Sequence, residues 1–415
     1  MTERRLRVLL VTEDIPAPQV GGLGKHVVTL GNALIAAGHE VALLGRAGTN
    51  YESFRASLDF EGRFIGGFDL SGMGWKESQL GVWLPFKRLA MAKRVEQAIL
   101  QHGLAFDVVH YHGHLPMVGL GLPAHLNFLQ TRHYQGSECM THLRFRHGAP
   151  CDELTPAGCA GCRHPVPGAL RRAVSAAGVT QYRGAVEKNF AQRKTIFVSD
   201  FLRRQFLRAV PNADLRLARV VHNFIDLARL RSATSATGPV QPGHLLLAGR
   251  MDDAKGFGAF LDAFLPLLAP GQQVVMVGDG PERLAIEQRH TGPAVQFLGW
   301  RTNAEVLALT RSAHICVVPS IWQEPCATTI LEPLVLGRPT LALQRGGTPE
   351  LSVYQRYAGQ LQLAPDMATL ARSAALALTV AAPHLPLPET SVADVAHALP
   401  AVLDCYRHAT ANAGL

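Results

Sequence analysis

The sequence predicts an α/β chain of two Rossmann-like, doubly wound domains, and three observations predict it. Short, almost unbroken apolar runs alternate with segments of helical periodicity in both halves, as in parallel sheets buried on both faces. Between the halves, Arg231 to Gly243 (RSATSATGPVQPG) has no apolar periodicity and the composition of a linker. The length, 415 residues, exceeds the roughly 100 to 200 of a single domain.

The first domain, expected over residues 1–230, opens with Leu6 to Thr12 (LRVLLVT), a central strand. Leu23, Val27, Leu30 and Leu34 recur at helical spacing before Gly38, a natural helix terminator, and Val41 to Leu44 restarts a strand. Val108 to Tyr111, Leu126 to Thr131, Thr195 to Ser199 and Ala218 to His222 extend that sheet. The second domain, 244–390, repeats the plan with strands at His244 to Ala248, Val274 to Val277, Val295 to Leu298, Ile315 to Val318 and Thr340 to Leu343. Phe257, Phe260, Leu261, Phe264 and Leu268 mark one of its helices. From Ala381 the Pro-rich AAPHLPLPETS is expected to run extended. A final helix from about Val392 to Ala409, interrupted near Pro400, makes residues 391–415 a crossover back to the first domain. Such domains hold ligands at the carboxyl ends of their strands, here in a central cleft.

Composition narrows the function classes. With 47% hydrophobic and 17% charged residues the chain is neither disordered nor collagen-like. No apolar run approaches the ~18 residues of a spanning helix. Glu3, Arg4, Arg5 and Arg7 lead straight into a strand, so no secretory leader is expected and the cytoplasm is the expected location. Seven unevenly placed Cys argue against a secreted disulfide scaffold. Forty Lys+Arg against 32 Asp+Glu give a net charge of +8, which suits an anionic ligand or an acidic membrane surface. Nothing beyond charge supports a nucleic-acid partner, since recognition aromatics, finger spacing and a long basic tail are missing from the sequence.

The chemistry is expected on strand-to-helix loops. Pro18 to Gly24 (PQVGGLG) places three glycines where backbone amides and a helix dipole meet a phosphate. It is not a P-loop, because Gln19 stands at the first Gly position and His26 follows Lys25 where Ser or Thr would coordinate magnesium. The plainer alternative is that these glycines only permit a tight turn. GRMDDAKG sets Arg250 just after a strand and Lys255 near a helix start, where a cation opposes the dipole unless an anion sits between them. VGDGP (Val277 to Pro281) is a second Gly-rich turn. In PSIWQEPCATTILEPLVLG, Glu324 lies in a loop and Glu332 inside the following helix, with seven residues between them, both suited to accept hydrogen bonds from sugar or ribose hydroxyls. RGGTPE adds Gly346, Gly347 and Glu350 after the next strand.

In combination these residues resemble the retaining GT-B glycosyltransferases of family four, over essentially the whole chain. The resemblance rests on Gly21 and Gly22, Arg250 and Lys255 in GR-x4-KG, VGDGP, the E-x7-E pair Glu324 and Glu332, and the GG-x-x-E turn. It implies two Rossmann-like domains facing a central cleft and transfer of a hexose from a UDP- or GDP-type nucleotide sugar. The implied acceptor is a hydroxyl of a glycan, a lipid-linked precursor or a small molecule, in cell-surface polysaccharide or glycoconjugate biosynthesis. Arg250 and Lys255 would bind the donor diphosphate, Glu332 the ribose, and Glu324 the transferred sugar. Gly21 and Gly22 would approach the donor and acceptor. His133, in LQTRHYQGS, matches the family's active-site His beside the reacting carbon. No cofactor is required for catalysis, because the cations replace a metal at the diphosphate. Two positions depart from the family pattern: Asn223 is followed by Phe224 where Gly is usual, and Cys326 follows Pro325 where Gly or Phe is commoner. The rival readings are a GT-B scaffold without turnover, a nucleotide-sugar epimerase and a phosphorylase.

Three features stand outside that pattern. His110, His112 and His114 alternate at a strand end (HYHGH), as metal ligands or as ordinary cleft lining. Cys139, Cys151, Cys159 and Cys162 are spaced C-x11-C-x7-C-x2-C, with His142, His147 and His164 interleaved, and are a candidate structural zinc set or free thiols. Lys87 to Gln101 (KRLAMAKRVEQAILQ) is a basic amphipathic helix, read first as core-packed and second as a peripheral contact with the inner membrane surface.

Overall fold

The computed structural model describes residues 4–17, 21–47, 59–70, 73, 84–136, 139–162, 166, 168–210, 214–383 and 385–410. Pro18, Gln19 and Val20 of the glycine loop and His164 of the Cys-rich stretch lie outside them. The described residues of Met1–Arg144, Cys151–His222 and Ala398–Leu415 form one compact unit, and those of Phe145–Pro150 and Asn223–His397 a second.

The first sheet holds β1 (Arg7–Val11), β2 (Glu40–Arg46), β3 (Arg63–Phe68), β4 (Val108–His112) and β5 (Phe128–Arg132). After a short antiparallel hairpin, β6 (Phe145–Arg146) and β7 (Ala149–Pro150), the sheet continues with β8 (Lys194–Phe197) and β9 (Ala218–Val220). All seven sheet strands are parallel, in the order β3-β2-β1-β4-β5-β8-β9. β4 (VVHYH) and β5 (FLQTR) are buried at every position and show no apolar/polar alternation, although both carry polar residues. The edge strand β3 (RFIGGF) was not legible, because it is only partly buried and carries two glycines. A Cβ at Gly67 would stand 2.2 Å from the end of the Leu44 side chain, which would have to shift for a larger residue.

In the second unit, β10 (His244–Ala248), β11 (Gln273–Val277), β12 (Val295–Gly299), β13 (Ile315–Val318), β14 (Thr340–Leu343) and β15 (Leu361–Ala364) form a parallel sheet in the order β12-β11-β10-β13-β14-β15. Phe257, Phe260, Leu261 and Phe264 cover it as the helical spacing predicts. Both sheets reverse winding direction at one point, beside β1 and β4 in the first and beside β10 and β13 in the second, where loops diverge and leave room for a ligand.

Two expectations are corrected, and the first reading of the basic helix holds. The linker reading of 231–243 fails at its start, since a helix spans Leu227–Thr234, capped by Asp226 and buried through Leu227 and Leu230. Two apolar anchors in eight residues are too few to show periodicity. The last helix, Val395–Thr410, runs through Pro400 without a break. It packs on the first unit, where Tyr406 OH lies 2.9 Å from His110 Nδ1 and Asn127 donates to the Tyr406 carbonyl at 3.1 Å. The basic helix, Leu84–His102, turns Met91, Val95 and Ile99 into the core and leaves Lys93 and Arg94 exposed, so its apolar stripe is already covered. No helix among the described residues is long and apolar enough to cross a membrane.

Backbone crowding at the second switch point makes one glycine indispensable. Gly278 has φ +133°, and a Cβ there would stand 1.9 Å from the Gly249 carbonyl oxygen. Gly278→Ala is expected to destabilise the protein by at least about 2 kcal/mol, read as a lower urea midpoint at unchanged slope. A midpoint within error of the parent would contradict this packing.

Candidate active site

In the first unit, the switch point collects residues that follow β1, β4 and β5. Parallel pairing sets Val11 beside Tyr111 and His112 beside Thr131. Glu13, just past β1, is therefore carried against the β4 end, where it accepts hydrogen bonds from Tyr111 OH at 2.7 Å and from the His114 amide at 2.8 Å. Burial raises its carboxyl, opposed by the charge of His114 and these bonds. Gly113 is needed for this contact, since a Cβ would meet Glu13 Oε2 at 2.0 Å.

Above them lie four buried imidazoles. His26 comes from the helix Gly22–Ala36, His110 and His112 from β4, and His133 from the loop after β5. His112 Nδ1 is 3.1 Å from His133 Nε2, and the His26 ring centroid is 4.6 Å from that of His133 and 5.4 Å from that of His112. His110 uses both nitrogens, 2.7 Å from Thr131 Oγ1 and 2.9 Å from Tyr406 OH. Burial drives His26 down to about 3 and carries His110, His112 and His133 well below the ordinary value, helped in the last three by neighbouring imidazoles. All four rings are therefore neutral near pH 7.

The HYHGH trio does not converge. His114 lies beyond Gly113 at the end of β4 and turns to Asp14, 3.3 Å away, while His110 is committed to Thr131 and Tyr406. Among the described residues, the group of metal-ligand side chains with atoms within 4.8 Å of one another is instead His26, His112 and His133. Sequence spacing could not reveal it, because a helix, the end of β4 and the loop after β5 supply the rings.

Gly21 and Gly22 begin the helix Gly22–Ala36, which has no side-chain cap and no acid in its first turn. A Cβ at either would meet nothing within 4 Å, so their role is not one of close backbone packing. What they leave is a helix start whose amides no side chain covers.

In the second unit, Lys255 and Glu324 form an ion pair at the switch point, one following β10 and the other β13. Ser320 Oγ donates to the same Glu324 oxygen at 2.7 Å, and the Lys255 ammonium sits 5.3 Å from the centre of the Trp322 ring. Glu324 is only 4% exposed. The RGGTPE turn holds the Glu324 backbone: Gly347 donates to the Glu324 carbonyl at 2.7 Å, and Gly346 to Gln323 Oε1 at 2.6 Å. Gly346 has φ +57°, and a Cβ on it would stand 2.2 Å from the Glu324 carbonyl oxygen, so only glycine fits. Lys255 closes a 3₁₀ turn (Asp253–Lys255) rather than starting the helix, which begins at Phe257 after the left-handed Gly256. Arg250 is 72% exposed and 3.4 Å from Asp252, whose carboxyl burial raises against the pull of Lys255 and Arg250. Glu332 is half-buried in the helix Thr328–Val335.

One departure from the family pattern, Cys326, contacts Asn223, the residue just before the other, Phe224. The Asn223 amide lies 3.3 Å from Cys326 Sγ and its side chain donates to the Cys326 carbonyl at 2.8 Å. Burial pushes the Cys326 thiol up to about 12, so it is an un-ionised packing group. Ser320, Trp322 and Asn223 were missed as site residues, although the first two stand inside the PSIWQEP segment itself.

The four Cys of the insertion carry no disulfide. Cys139 Sγ pairs with Thr141 Oγ1 at 3.2 Å and Cys159 Sγ accepts from Arg183 at 3.3 Å. No three of Cys139, Cys151, Cys159 and Cys162 offer sulfurs within 4.8 Å of one another.

A family model described as Glycosyltransferase Family 4 matches residues 20–229, and one described as Glycosyl transferases group 1 matches residues 242–379. A glycogen synthase of Mycobacterium tuberculosis is 28% identical over 366 residues, covering 83% of this chain and 80% of that protein. The catalytic domain of starch synthase IV from Arabidopsis thaliana, bound to ADP and acarbose, superposes with a TM-score of 0.64 at 15% identity, over 98% of this chain and 100% of that one. Anabaena Alr3699/HepE in complex with UDP and glucose gives 0.60 at 16% identity, over 99% and 95%. These structural likenesses establish the GT-B fold.

Proposed function

The chain belongs to the glycosyltransferases described as Glycosyltransferase Family 4, and from that premise we propose that it moves a hexose from a UDP- or GDP-type nucleotide sugar to a hydroxyl acceptor with retention at the anomeric carbon. The observation that carries this reading is the Lys255–Glu324 pair, fixed by Ser320 and the Gly346–Gly347 turn at the switch point of the second sheet. A buried carboxylate touching a half-buried ammonium supplies what transfer needs, an acceptor for sugar hydroxyls beside a cation for the departing diphosphate. Arg250, exposed beside Asp252, would close on the diphosphate from the β10 loop. Glu332 would take the ribose.

With retention, the leaving phosphate oxygen accepts the acceptor's proton on the same face, and no protein nucleophile is required. Charge stabilisation then dominates the rate. His133, neutral in its buried setting, would hold a sugar hydroxyl near the reacting carbon by one ring nitrogen. The proposed acceptor is a glycan or lipid-linked precursor in polysaccharide or glycoconjugate synthesis. Contact with an acidic membrane would rest on surface charge, since the apolar stripe of the Leu84–His102 helix is buried.

Arg250→Ala is expected to weaken binding of the nucleotide diphosphate about tenfold, the value of one charge-assisted contact. Calorimetry checks it, and an unchanged affinity removes Arg250 from the role. The class of reaction is tested by incubating nucleotide sugars with hydroxyl acceptors and reading the product by NMR. A glycoside with the donor's anomeric configuration supports retention; an inverted product, an epimerised donor or no turnover would each overturn it.

A further inference from the structure

The imidazole cluster of the first unit has a property that the transfer reaction does not call on. We propose that His26, His112 and His133 form a tri-histidine site for one divalent transition-metal ion of the zinc type. Their ligand atoms already lie within 4.8 Å of one another. His112 Nδ1 and His133 Nε2, 3.1 Å apart, match the separation of about 3.3 Å between two nitrogens on a tetrahedral ion with bonds of about 2.0 to 2.1 Å. With His26 as the third ligand, the ion would keep a fourth position for an exchangeable ligand, as in catalytic zinc sites.

Two further observations bear on the cluster. His112 is fully buried and its Nε2 has no hydrogen-bond partner among the described residues. His26 stands on a helix and His112 ends β4, which fixes the position of these two better than a loop would, while His133 directly follows β5. With no carboxylate among the three ligands, the set suits Zn²⁺, Co²⁺, Ni²⁺ or Cu²⁺ rather than Mg²⁺ or Ca²⁺. It is distinct from any magnesium that a donor diphosphate brings. Because His133 is also the ring proposed to face the sugar, an ion here would inhibit transfer. That consequence rests on the proposed function, whereas the site itself does not.

The test is a titration of the chelator-treated full chain with Co²⁺, followed by visible absorption. The expected result is one equivalent bound with nitrogen-type ligand-field bands and no thiolate charge-transfer band in the near ultraviolet, displaced by one equivalent of Zn²⁺. His112→Leu and His26→Gln should each weaken binding more than about tenfold. Cys159→Ser with Cys162→Ser should leave it unchanged. His26→Gln keeps the test open if the buried His112→Leu does not fold. Absence of a bound equivalent, a thiolate band from the Cys-rich stretch, or undiminished affinity in folded His26→Gln would overturn the site. Inhibition of transfer by Zn²⁺ is read separately, so an inactive enzyme that still binds Co²⁺ would count against the proposed function and not against the metal site.

Discussion

Replacing Glu324 with alanine is expected to cut glycosyl transfer by about a hundredfold to a thousandfold while leaving affinity for the bare nucleotide diphosphate within about threefold. The asymmetry follows from placement. Glu324 is buried, and its carboxylate is positioned by Lys255 and Ser320 while its backbone is held by Gly347. Its proposed partner is the transferred sugar, which a nucleotide diphosphate lacks. Removing it also leaves Lys255 without its carboxylate, which favours an incoming diphosphate and offsets any loosening of the loop. Glu324→Gln separates charge from shape, because the amide preserves the side-chain volume and one acceptor oxygen but cannot pair with the ammonium. Steady-state kinetics with calorimetry check both variants, and a fully active Glu324→Ala protein would remove the residue from the chemistry.

Lys255→Ala is expected to lose both functions, with nucleotide diphosphate affinity down by more than about tenfold and transfer down by about a hundredfold to a thousandfold. The ammonium is the cation best placed for a leaving diphosphate, because it is only partly exposed, stacked near Trp322 and held at the β10–β13 switch point. Arg250 is far more exposed, so water screens its contribution and its substitution costs less. Lys255 and Glu324 touch, so their effects on transfer should not add. The double variant is expected within about tenfold of the worse single one. Full additivity would show that the two act independently and would contradict the shared site.

Much of this arrangement was legible in the sequence. Central strands such as β10, β13 and β14 are unbroken apolar runs because helices cover both faces, and their bounds were read to the residue. Edges were harder. β3 and β15 are partly exposed and mixed in composition, so neither announces itself. Arg250, Lys255, Glu324 and Glu332 were singled out because glycine-rich turns after strands mark the ends where ligands bind. The Lys255–Glu324 contact was not, since it spans 69 residues and depends on β10 and β13 being sheet neighbours. The histidine cluster escaped for the same reason, with alternate spacing suggesting HYHGH while strand order selected His26, His112 and His133. The Asn223–Cys326 contact spans 103 residues, so no reading of either position alone could find it.

The central claim is that the loops after β10 and β13 bind a nucleotide diphosphate. Calorimetric titration of the protein with UDP, GDP and ADP, with Lys255→Ala and Arg250→Ala alongside, tests it most directly. The expected result is selective binding of one nucleotide, weakened in Arg250→Ala and weakened further in Lys255→Ala, which also names the base of the donor. Binding of none of the three, or binding that Lys255→Ala leaves intact, would contradict it.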